Sequence, residues 1–344
     1  MPEVPRRGDW SRLDESDVRV RPGKGSRPRS KRRPEHADAV GAMVVGKDRG
    51  RWTCAVDGDA DRLVVAMRAR ELGRTPVVIG DTVELVGDTT GAPDTLARIV
   101  RVAERTSVLR RTADDTDAFE RVVVANAQRL LIVCALADPP PRTGFIDRCL
   151  VAAYAGGLQP TLCLTKSDLA DPAELLAQYA ELDLPVVITR RDQEPAELRA
   201  LITDEVSAMV GHSGVGKSTL VNRLVPAADR ATGAVSAVGK GRHTSTSAVA
   251  LPLPDGGWIV DTPGIRSFGL AHITPTDIVA AFEEFVALAE ECPSGCGHLG
   301  PPADPGCMLD EAVTTGQATP GRLTSLRRLL SSKAGVDDSA PKPD

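Results

Sequence analysis

One segment, residues 211–218, constrains the fold of this chain more than any other. It fits the pattern G-x-x-x-x-G-K-[ST] at every fixed position. An apolar run, residues 207–210, precedes it, and a helix-forming run, residues 219–224, follows it. A glycine-rich loop between a strand and a helix directs backbone N–H groups at an anion, and the N-terminus of the helix favours negative charge. We therefore predict a phosphate-binding loop in an α/β sheet.

The residue types of this phosphate loop (residues 211–218) have separate roles. Lys217 is expected to neutralise the outer phosphates of a nucleotide, which makes it a candidate catalytic residue. The Ser218 hydroxyl is expected to bind Mg²⁺. The predicted nucleotide contacts from this part of the chain are Gly211, His212, Ser213, Gly214, Val215, Gly216, Lys217, Ser218 and Thr219.

A second segment, Thr165, Lys166, Ser167 and Asp168, follows the apolar residues 160–164. It therefore ends a predicted strand, where open α/β sheets bind ligands. The segment is similar to the N-K-x-D signature of GTPases, in which the Asp accepts hydrogen bonds from guanine and the Lys stem covers the base. Thr165 stands where the signature has Asn and cannot supply an amide. We expect guanine preference to depend mainly on Asp168, with some loss of affinity.

A third segment, residues 261–264, follows the strand-like residues 258–260 and resembles the D-x-x-G switch. Asp261 is expected to hold Mg²⁺ through water, and the Gly264 N–H to contact a γ-phosphate. The next residue, Ile265, cannot orient the attacking water as a Gln would, so slow intrinsic hydrolysis is expected.

The polar, glycine-rich residues 239–247 lie between the phosphate loop and the third segment, where a first switch belongs. A threonine there, Thr244 or Thr246, is expected to complete the Mg²⁺ shell. His243 is a candidate for orienting the attacking water, because imidazole accepts protons near neutral pH. The alternative is an ordinary solvated loop histidine.

The order of these segments is unusual. In an ordinary GTPase the base-recognition tetrapeptide comes last, whereas here residues 165–168 precede the phosphate loop. The order predicts a circularly permuted nucleotide-binding domain, which we assign to residues 113–271. Within it, apolar runs at residues 130–135 and 185–189 and helical patterns at residues 145–154 and 174–182 predict a doubly wound parallel sheet.

The N-terminal part of the chain suggests contact with nucleic acid despite a net charge of −5. Residues 19–33 contain many Arg and Lys and no acid, so residues 1–38 are predicted to be a flexible basic arm. The alternative is a solubilising tail.

Residues 39–112 are predicted to form an OB-fold RNA-binding barrel. The prediction depends on five strand-like runs, residues 42–45, 51–56, 63–67, 81–86 and 95–100. Trp52 is its only aromatic residue, so backbone and shape contacts are expected rather than base stacking.

The C-terminal part predicts a small metal domain over residues 272–332. A helix begins at Thr274 and Pro275 and continues through an apolar stripe to residue 289; a last amphipathic helix contains Leu323, Leu326, Leu329 and Leu330. Between them lie Cys292, Cys296, His298 and Cys307, a set that matches a structural Zn²⁺ site; the alternative is free loop cysteines. Residues 333–344 are predicted to be a polar tail.

The cysteines outside this region are expected to be buried free thiols of a cytosolic protein. They are Cys54, Cys134, Cys149 and Cys163.

Together these motifs resemble the ribosome small subunit-dependent GTPase A family (RsgA, also called YjeQ or EngC), from about residue 38 to residue 332. The resemblance implies an N-terminal OB-fold, a circularly permuted GTPase domain and a C-terminal zinc domain. It implies late assembly of the small ribosomal subunit in the cytoplasm, with GTP hydrolysed to GDP and phosphate under stimulation by the subunit. The implied ligands are GTP or GDP, Mg²⁺ and one Zn²⁺. The implied partners are the subunit and its rRNA, with a monomeric chain and no membrane. The zinc spacing departs from the family's usual pattern, so different loops are expected there.

Two other functions fit parts of the pattern. One is a phosphate-loop ATPase or kinase in which residues 165–168 have no role. The other is an RNA-binding scaffold with a purely structural nucleotide site. The motif order also suggests a hypothesis: residues 261–269 lead directly into the zinc domain, so a γ-phosphate contact would alter its position.

Overall fold

An N-terminal five-stranded barrel is present as predicted. The computed structural model describes residues 36–111, 121–226, 248–262 and 270–333. The barrel closes in the order β1-β2-β3-β5-β4, from β1 (Val40–Asp48), β2 (Arg51–Val56), β3 (Leu63–Arg68), β4 (Thr82–Gly87) and β5 (Ala97–Val102). Trp52 is buried inside it, and its indole N–H donates to the Val77 carbonyl at 3.1 Å. The ring is therefore not available for base stacking.

A hairpin that the sequence analysis did not predict joins the barrel to the rest of the fold. It consists of β6 (Val108–Arg111) and β7 (Arg121–Ala125). The Arg105 guanidinium, just before it, forms hydrogen bonds of 2.7 and 3.0 Å to the buried Asp81 carboxylate of the barrel. The Asn126 amide, just after it, donates to the Gly80 carbonyl at 2.9 Å. Buried and half-buried polar groups thus attach the barrel to this hairpin on both sides.

The central sheet has the strand order β10-β9-β8-β11-β13-β12. Its strands are β8 (Arg129–Ala135), β9 (Gln159–Thr165), β10 (Val186–Ile188), β11 (Val206–Val210), β12 (Val249–Pro252) and β13 (Trp258–Asp261). All neighbours are parallel except β12 and β13, which are antiparallel. The predicted parallel sheet thus has one antiparallel edge strand, β12, which the sequence analysis did not predict. A short turn containing Gly256 and Gly257, both at positive φ, joins β12 to β13, and so tight a connection permits only antiparallel pairing.

Helices cover both faces of this sheet. They are α1 (Thr143–Ala155), α2 (Ala173–Ala177), α3 (Ala196–Ile202) and α4 (Lys217–Leu224). Successive β8 residues alternate between two hydrophobic clusters, one on each face, so the sheet is doubly wound. The helix predicted over residues 174–182 ends at Ala177. Tyr179 and Leu182 are buried as a helix would bury them, but they reach the core from turns.

The C-terminal region contains α5 (Pro275–Val279), α6 (Glu283–Glu290), α7 (Leu309–Thr314) and α8 (Pro320–Lys333). Thr274 caps α5 with a capping box, as its position before Pro275 suggests. The single helix predicted there is two helices, because the chain turns at residues 280–282 and buries Phe282 against Tyr154 of α1. The α7 helix was not predicted. The leucine stripe of α8 is buried, and α8 packs on α1.

Among the described residues, no helix is both long and apolar enough to cross a membrane. The cysteines at positions 54, 134, 149 and 163 are buried free thiols, as predicted.

Candidate nucleotide site and metal cluster

The phosphate loop connects β11 to α4 and lies against the end of β8. A Cβ at Gly211 would lie 2.4 Å from the Val133 carbonyl oxygen, so only glycine allows this approach. Gly216 precedes the first residue of α4 with φ of 97°, a conformation that side chains disfavour. Glycine is therefore required at both ends of the loop, which brings the N-terminus of α4 to the carboxyl ends of the strands.

Lys217 and Asp261 form the charged centre of the site. The Lys217 ammonium donates to the Gly211 carbonyl and, at 2.8 Å, to the His212 carbonyl, so it lies inside the curve of the loop. Burial lowers the pKa of Lys217, although the Asp261 charge opposes this. Burial likewise raises the pKa of Asp261, although the Lys217 charge opposes this. For each group, dehydration disfavours the charged form more than the opposite charge of the other group favours it.

One oxygen of Asp261 also lacks a polar contact. Its Oδ1 atom is buried and has no hydrogen-bond partner among the residues that the structure describes. The next side chain, Thr262, is committed elsewhere, because its hydroxyl donates to the Met209 carbonyl at 2.6 Å. A buried carboxylate oxygen without a donor, beside a phosphate loop, is suited to a cation or to water bound to a cation.

The base-recognition segment (residues 165–168) follows β9 and borders the phosphate loop. The Thr165 hydroxyl donates to the Val215 carbonyl at 2.6 Å, so the two segments are in direct contact. Lys166 has φ of 57°, and its ammonium donates to the Asp138 carbonyl. Asp168 is exposed in the following turn. The structure thus brings together two segments that are far apart in sequence.

A cavity of about 270 Å³ lies between these segments. Its wall includes Thr165, Lys166, Gly214, Gly216 and Thr219, which the sequence analysis proposed as nucleotide contacts. The volume is near the lower end of the range for small-molecule sites, about 300–1,000 Å³.

The remaining lining of this cavity was missed. It is formed by the loop after β10 and one side of α4, through Thr189, Arg190, Arg191, Gln193, Pro195, Leu220 and Arg223. Arg223 donates to the Gln193 carbonyl and, at 3.4 Å, to the Arg190 carbonyl, which holds the loop to α4. The polar residues that follow the predicted strand 185–189 were the available signal, since ligands bind at the carboxyl ends of parallel strands.

His212 faces α1 rather than the cavity. Its ring centroid lies 4.3 Å from that of Phe145. Burial lowers the pKa of His212, and the positive charges of Arg142 and Lys217 lower it further. His212 is therefore a neutral packing contact between the phosphate loop and α1.

Several predicted site residues lie outside the described residues. They are His243, Thr244 and Thr246 of the first-switch region, together with Gly264 and Ile265. The basic arm, residues 1–35 of the predicted 1–38, also lies outside them.

The four predicted metal ligands meet in the C-terminal region. One ligand-type atom from each of Cys292, Cys296, His298 and Cys307 lies within 4.8 Å of all the others. Backbone N–H groups already contact two of the sulfurs: His298 N–H lies 3.4 Å from Cys296 Sγ, and Met308 N–H lies 3.3 Å from Cys292 Sγ. The His298 Nδ1 atom is buried with no hydrogen-bond partner in the described part of the chain. This donor set and this unmatched nitrogen fit a tetrahedral Cys₃His metal site.

Two relatives match about four-fifths of this chain and nearly all of their own length. A family model described as RsgA GTPase matches residues 102–271. A protein of Gemmatimonas aurantiaca named "Small ribosomal subunit biogenesis GTPase RsgA" is 38% identical in an alignment of 298 residues that covers 83% of this chain and 95% of that protein. The chain belongs to the RsgA GTPase family. A protein of the same name from Chlorobaculum parvum is 36% identical in an alignment of 282 residues that covers 79% of this chain and 90% of that protein.

Solved structures agree with the fold. The crystal structure of YjeQ from Thermotoga maritima has a TM-score of 0.61 and 26% identity, and the match covers 87% of this chain and all of that one. The structure of YloQ, described as a circularly permuted GTPase, also has a TM-score of 0.61; the match covers 90% of this chain and all of YloQ. At 21% identity, this second likeness concerns the fold alone. The family match, the motif order and the fold together confirm the expectation of a permuted GTPase with an N-terminal barrel.

Proposed function

We propose that this chain is a GTPase that acts in biogenesis of the small ribosomal subunit. The convergence of the base-recognition segment, the phosphate loop and Asp261 at one edge of the sheet carries the proposal. The relative from Gemmatimonas aurantiaca bears that function in its name and aligns over nearly its whole length. GTP is hydrolysed to GDP and phosphate, and binding to the small subunit stimulates the reaction in the cytoplasm.

The phosphate end of the site is assigned to Lys217, Ser218 and Asp261. Lys217 lies inside the loop and neutralises the outer phosphates. Asp261 Oδ1, which lacks a donor, would accept a hydrogen bond from water bound to Mg²⁺, and the exposed Ser218 in the first turn of α4 would bind the ion directly. Mg²⁺ supplies charge neutralisation at the β- and γ-phosphates when bound. Thr246 as a further ligand, Gly264 as the γ-phosphate contact and His243 as the water-orienting group remain predictions from sequence.

The base end of the site is assigned to Lys166 and Asp168. Guanine presents two adjacent donors, N1–H and the exocyclic amine, which suit the exposed Asp168 carboxylate. Adenine lacks this pair of donors and would leave the carboxylate unpaired. The loop after β10 supplies further residues to the lining of the cavity. This arrangement favours a GTPase over the ATPase or kinase alternative.

The C-terminal cluster is assigned to one structural Zn²⁺. All four donors are protein groups, so a bound ion would have no open coordination position and would contribute folding energy rather than catalysis. The ion would hold together a loop-rich region in which α7 and the turn containing His298 pack beside α8. Arg327 of α8 supports this turn, because it donates to the His298 carbonyl at 3.4 Å and forms a two-point ion pair with Asp310.

The barrel is assigned to rRNA contact. Arg51 pairs with Met67 across β2 and β3, and Met67 pairs with Arg98 across β3 and β5. Paired residues lie on one face of a sheet, and all three are exposed. This row carries two positively charged side chains and no aromatic ring on the outer surface of the barrel. Such a composition suits contacts with a phosphate backbone.

Multiple-turnover GTP hydrolysis with and without purified small subunits tests this function. We expect slow hydrolysis alone and a strong increase with subunits, both abolished in Lys217→Ala. An RNA-binding scaffold would show no stimulation. An ATPase would prefer ATP, and Asp168→Asn would not change its base preference; a guanine site should instead gain affinity for xanthine nucleotides in that variant.

A further inference from the structure

The side chain of Thr165 lies where β8, β9 and the phosphate loop meet. It is buried, with an exposed fraction of 6%. Its hydroxyl donates to the Val215 carbonyl at 2.6 Å, and the Cys134 carbonyl lies 3.4 Å from the same oxygen. A Cβ added at Gly216 would lie 3.6 Å from Thr165 Oγ1, so the threonine also packs against the last turn of the phosphate loop. This one side chain of β9 therefore contacts both the end of β8 and the phosphate loop.

The hydroxyl has a single proton, and the short bond to the phosphate loop uses it. A guanine acceptor such as N7 or O6 cannot receive the same proton. The Val215 side chain is buried beside it, with an exposed fraction of 4%, so water does not readily replace the bond. The residue that departs from the N-K-x-D signature is thus engaged with the loop rather than with the base.

A second contact joins the same two segments. Lys166 donates to the Asp138 carbonyl, and a Cβ added at Gly214 would lie 3.6 Å from Cδ of the neighbouring Pro139. The base-recognition segment is thus attached to the phosphate loop directly through Thr165 and indirectly through residues 138–139. The two segments lie at the ends of β9 and β11, which both pair with β8, and these side-chain contacts fix how the segments meet beyond the sheet.

We propose that Thr165 is a positioning residue that holds the phosphate loop in register with the base-recognition segment and does not itself recognise the base. The proposal rests on the nucleotide site described above. It replaces the expectation that threonine at this position weakens guanine recognition. A residue with a short donor side chain, such as Ser or Asn, should fulfil the same role.

The test measures equilibrium affinity and dissociation rate for three nucleotides. GDP is the reference, IDP lacks the exocyclic amine, and 7-deaza-GDP lacks N7. Thr165→Val keeps the shape of the side chain and removes the donor. We expect this variant to lose about tenfold in affinity for all three nucleotides, with faster dissociation, because the unpaired Val215 carbonyl lets the loop shift. Thr165→Ser and Thr165→Asn should bind within about threefold of the wild type, because both retain a donor.

The control for base recognition is Asp168→Asn, which should change the ratio of GDP to IDP affinity. If Thr165→Val instead changes the ratio of GDP to 7-deaza-GDP affinity, Thr165 contacts the base and the proposal is wrong. If Thr165→Val unfolds at a lower temperature but binds GDP as tightly as the wild type while folded, its role is only structural and the proposal is also wrong.

Two further outcomes are decisive. Should Thr165→Val not fold, Thr165→Ser and Thr165→Asn decide, and a tenfold loss of GDP affinity in both would overturn the proposal. Should the wild type bind GDP and GTP no better than Lys217→Ala does, the nucleotide site itself is wrong, which is distinguishable from a failure confined to Thr165.

Discussion

Replacing Asp261 by Asn should stabilise the ligand-free protein and remove its response to nucleotide. The Asp261 carboxylate has a buried oxygen without a donor, and its pKa is raised even after the favourable effect of Lys217. Its charge therefore opposes folding when no cation is bound. A buried group of this kind costs about 1–3 kcal/mol. Because Asp261 is partly exposed and Lys217 would lose its neighbour, we expect a gain near the lower limit, about 1 kcal/mol.

The assay is thermal unfolding with and without Mg²⁺ and GDP. A gain of about 1 kcal/mol should raise the unfolding midpoint of the nucleotide-binding domain by about 2–4 °C without ligand, the shift expected for a unit of about 150–250 residues. At a ligand concentration of about 100 times Kd, the wild type should gain about 2.7 kcal/mol, whereas Asp261→Asn should gain much less. The order of stability should therefore reverse when ligand is added. Asp255→Asn is the matched control, since that carboxylate is 57% exposed and should change neither measurement.

The pH dependence gives an independent check. The pKa of Asp261 is raised in the folded state, so its penalty is fully present above that raised pKa and disappears as pH falls to the unfolded value of 3.8. The advantage of Asp261→Asn should therefore be largest near pH 7 and small near pH 4. A ligand-free variant that is less stable than the wild type, or an advantage that does not depend on pH, would refute the reasoning.

Two other perturbations test the metal cluster and the barrel junction. Cys307→Ser should reduce bound zinc, measured by mass spectrometry of the purified protein, and lower the unfolding midpoint of the C-terminal region; retention of wild-type zinc would contradict the assigned ligands. Arg105→Met should destabilise the protein by about 3 kcal/mol in denaturant titration, because it leaves the fully buried Asp81 without its ion-pair partner. Adding Asp81→Asn to that variant should recover part of the loss, and a double variant no more stable than Arg105→Met would argue against the pair.

The barrel strands and the phosphate loop were predictable because their signals are local. Alternating burial in β4, with Val83 and Leu85 inside, follows from a period-two pattern that the sequence displays. The wrong predictions concern segments in which two different backbone conformations would bury the same residues. Phe282 is buried both in one long helix and in the observed break between α5 and α6, so periodicity could not separate them. The antiparallel edge at β12 depends on a turn of two glycines rather than on any property of the strand.

The sequence by itself determined which chemical groups the site contains and the order in which the chain supplies them. The spacing of Gly211, Gly216 and Lys217 is a covalent property, and so is the position of the base-recognition segment before them. Only the tertiary structure decided what Thr165 does and which residues form the remaining lining of the cavity. Both depend on β9 lying between β8 and β10, which brings Val215 to one side of the segment and Thr189 to the other. The order of strands in a sheet depends on packing over the whole sheet, and no local sequence pattern predicts it.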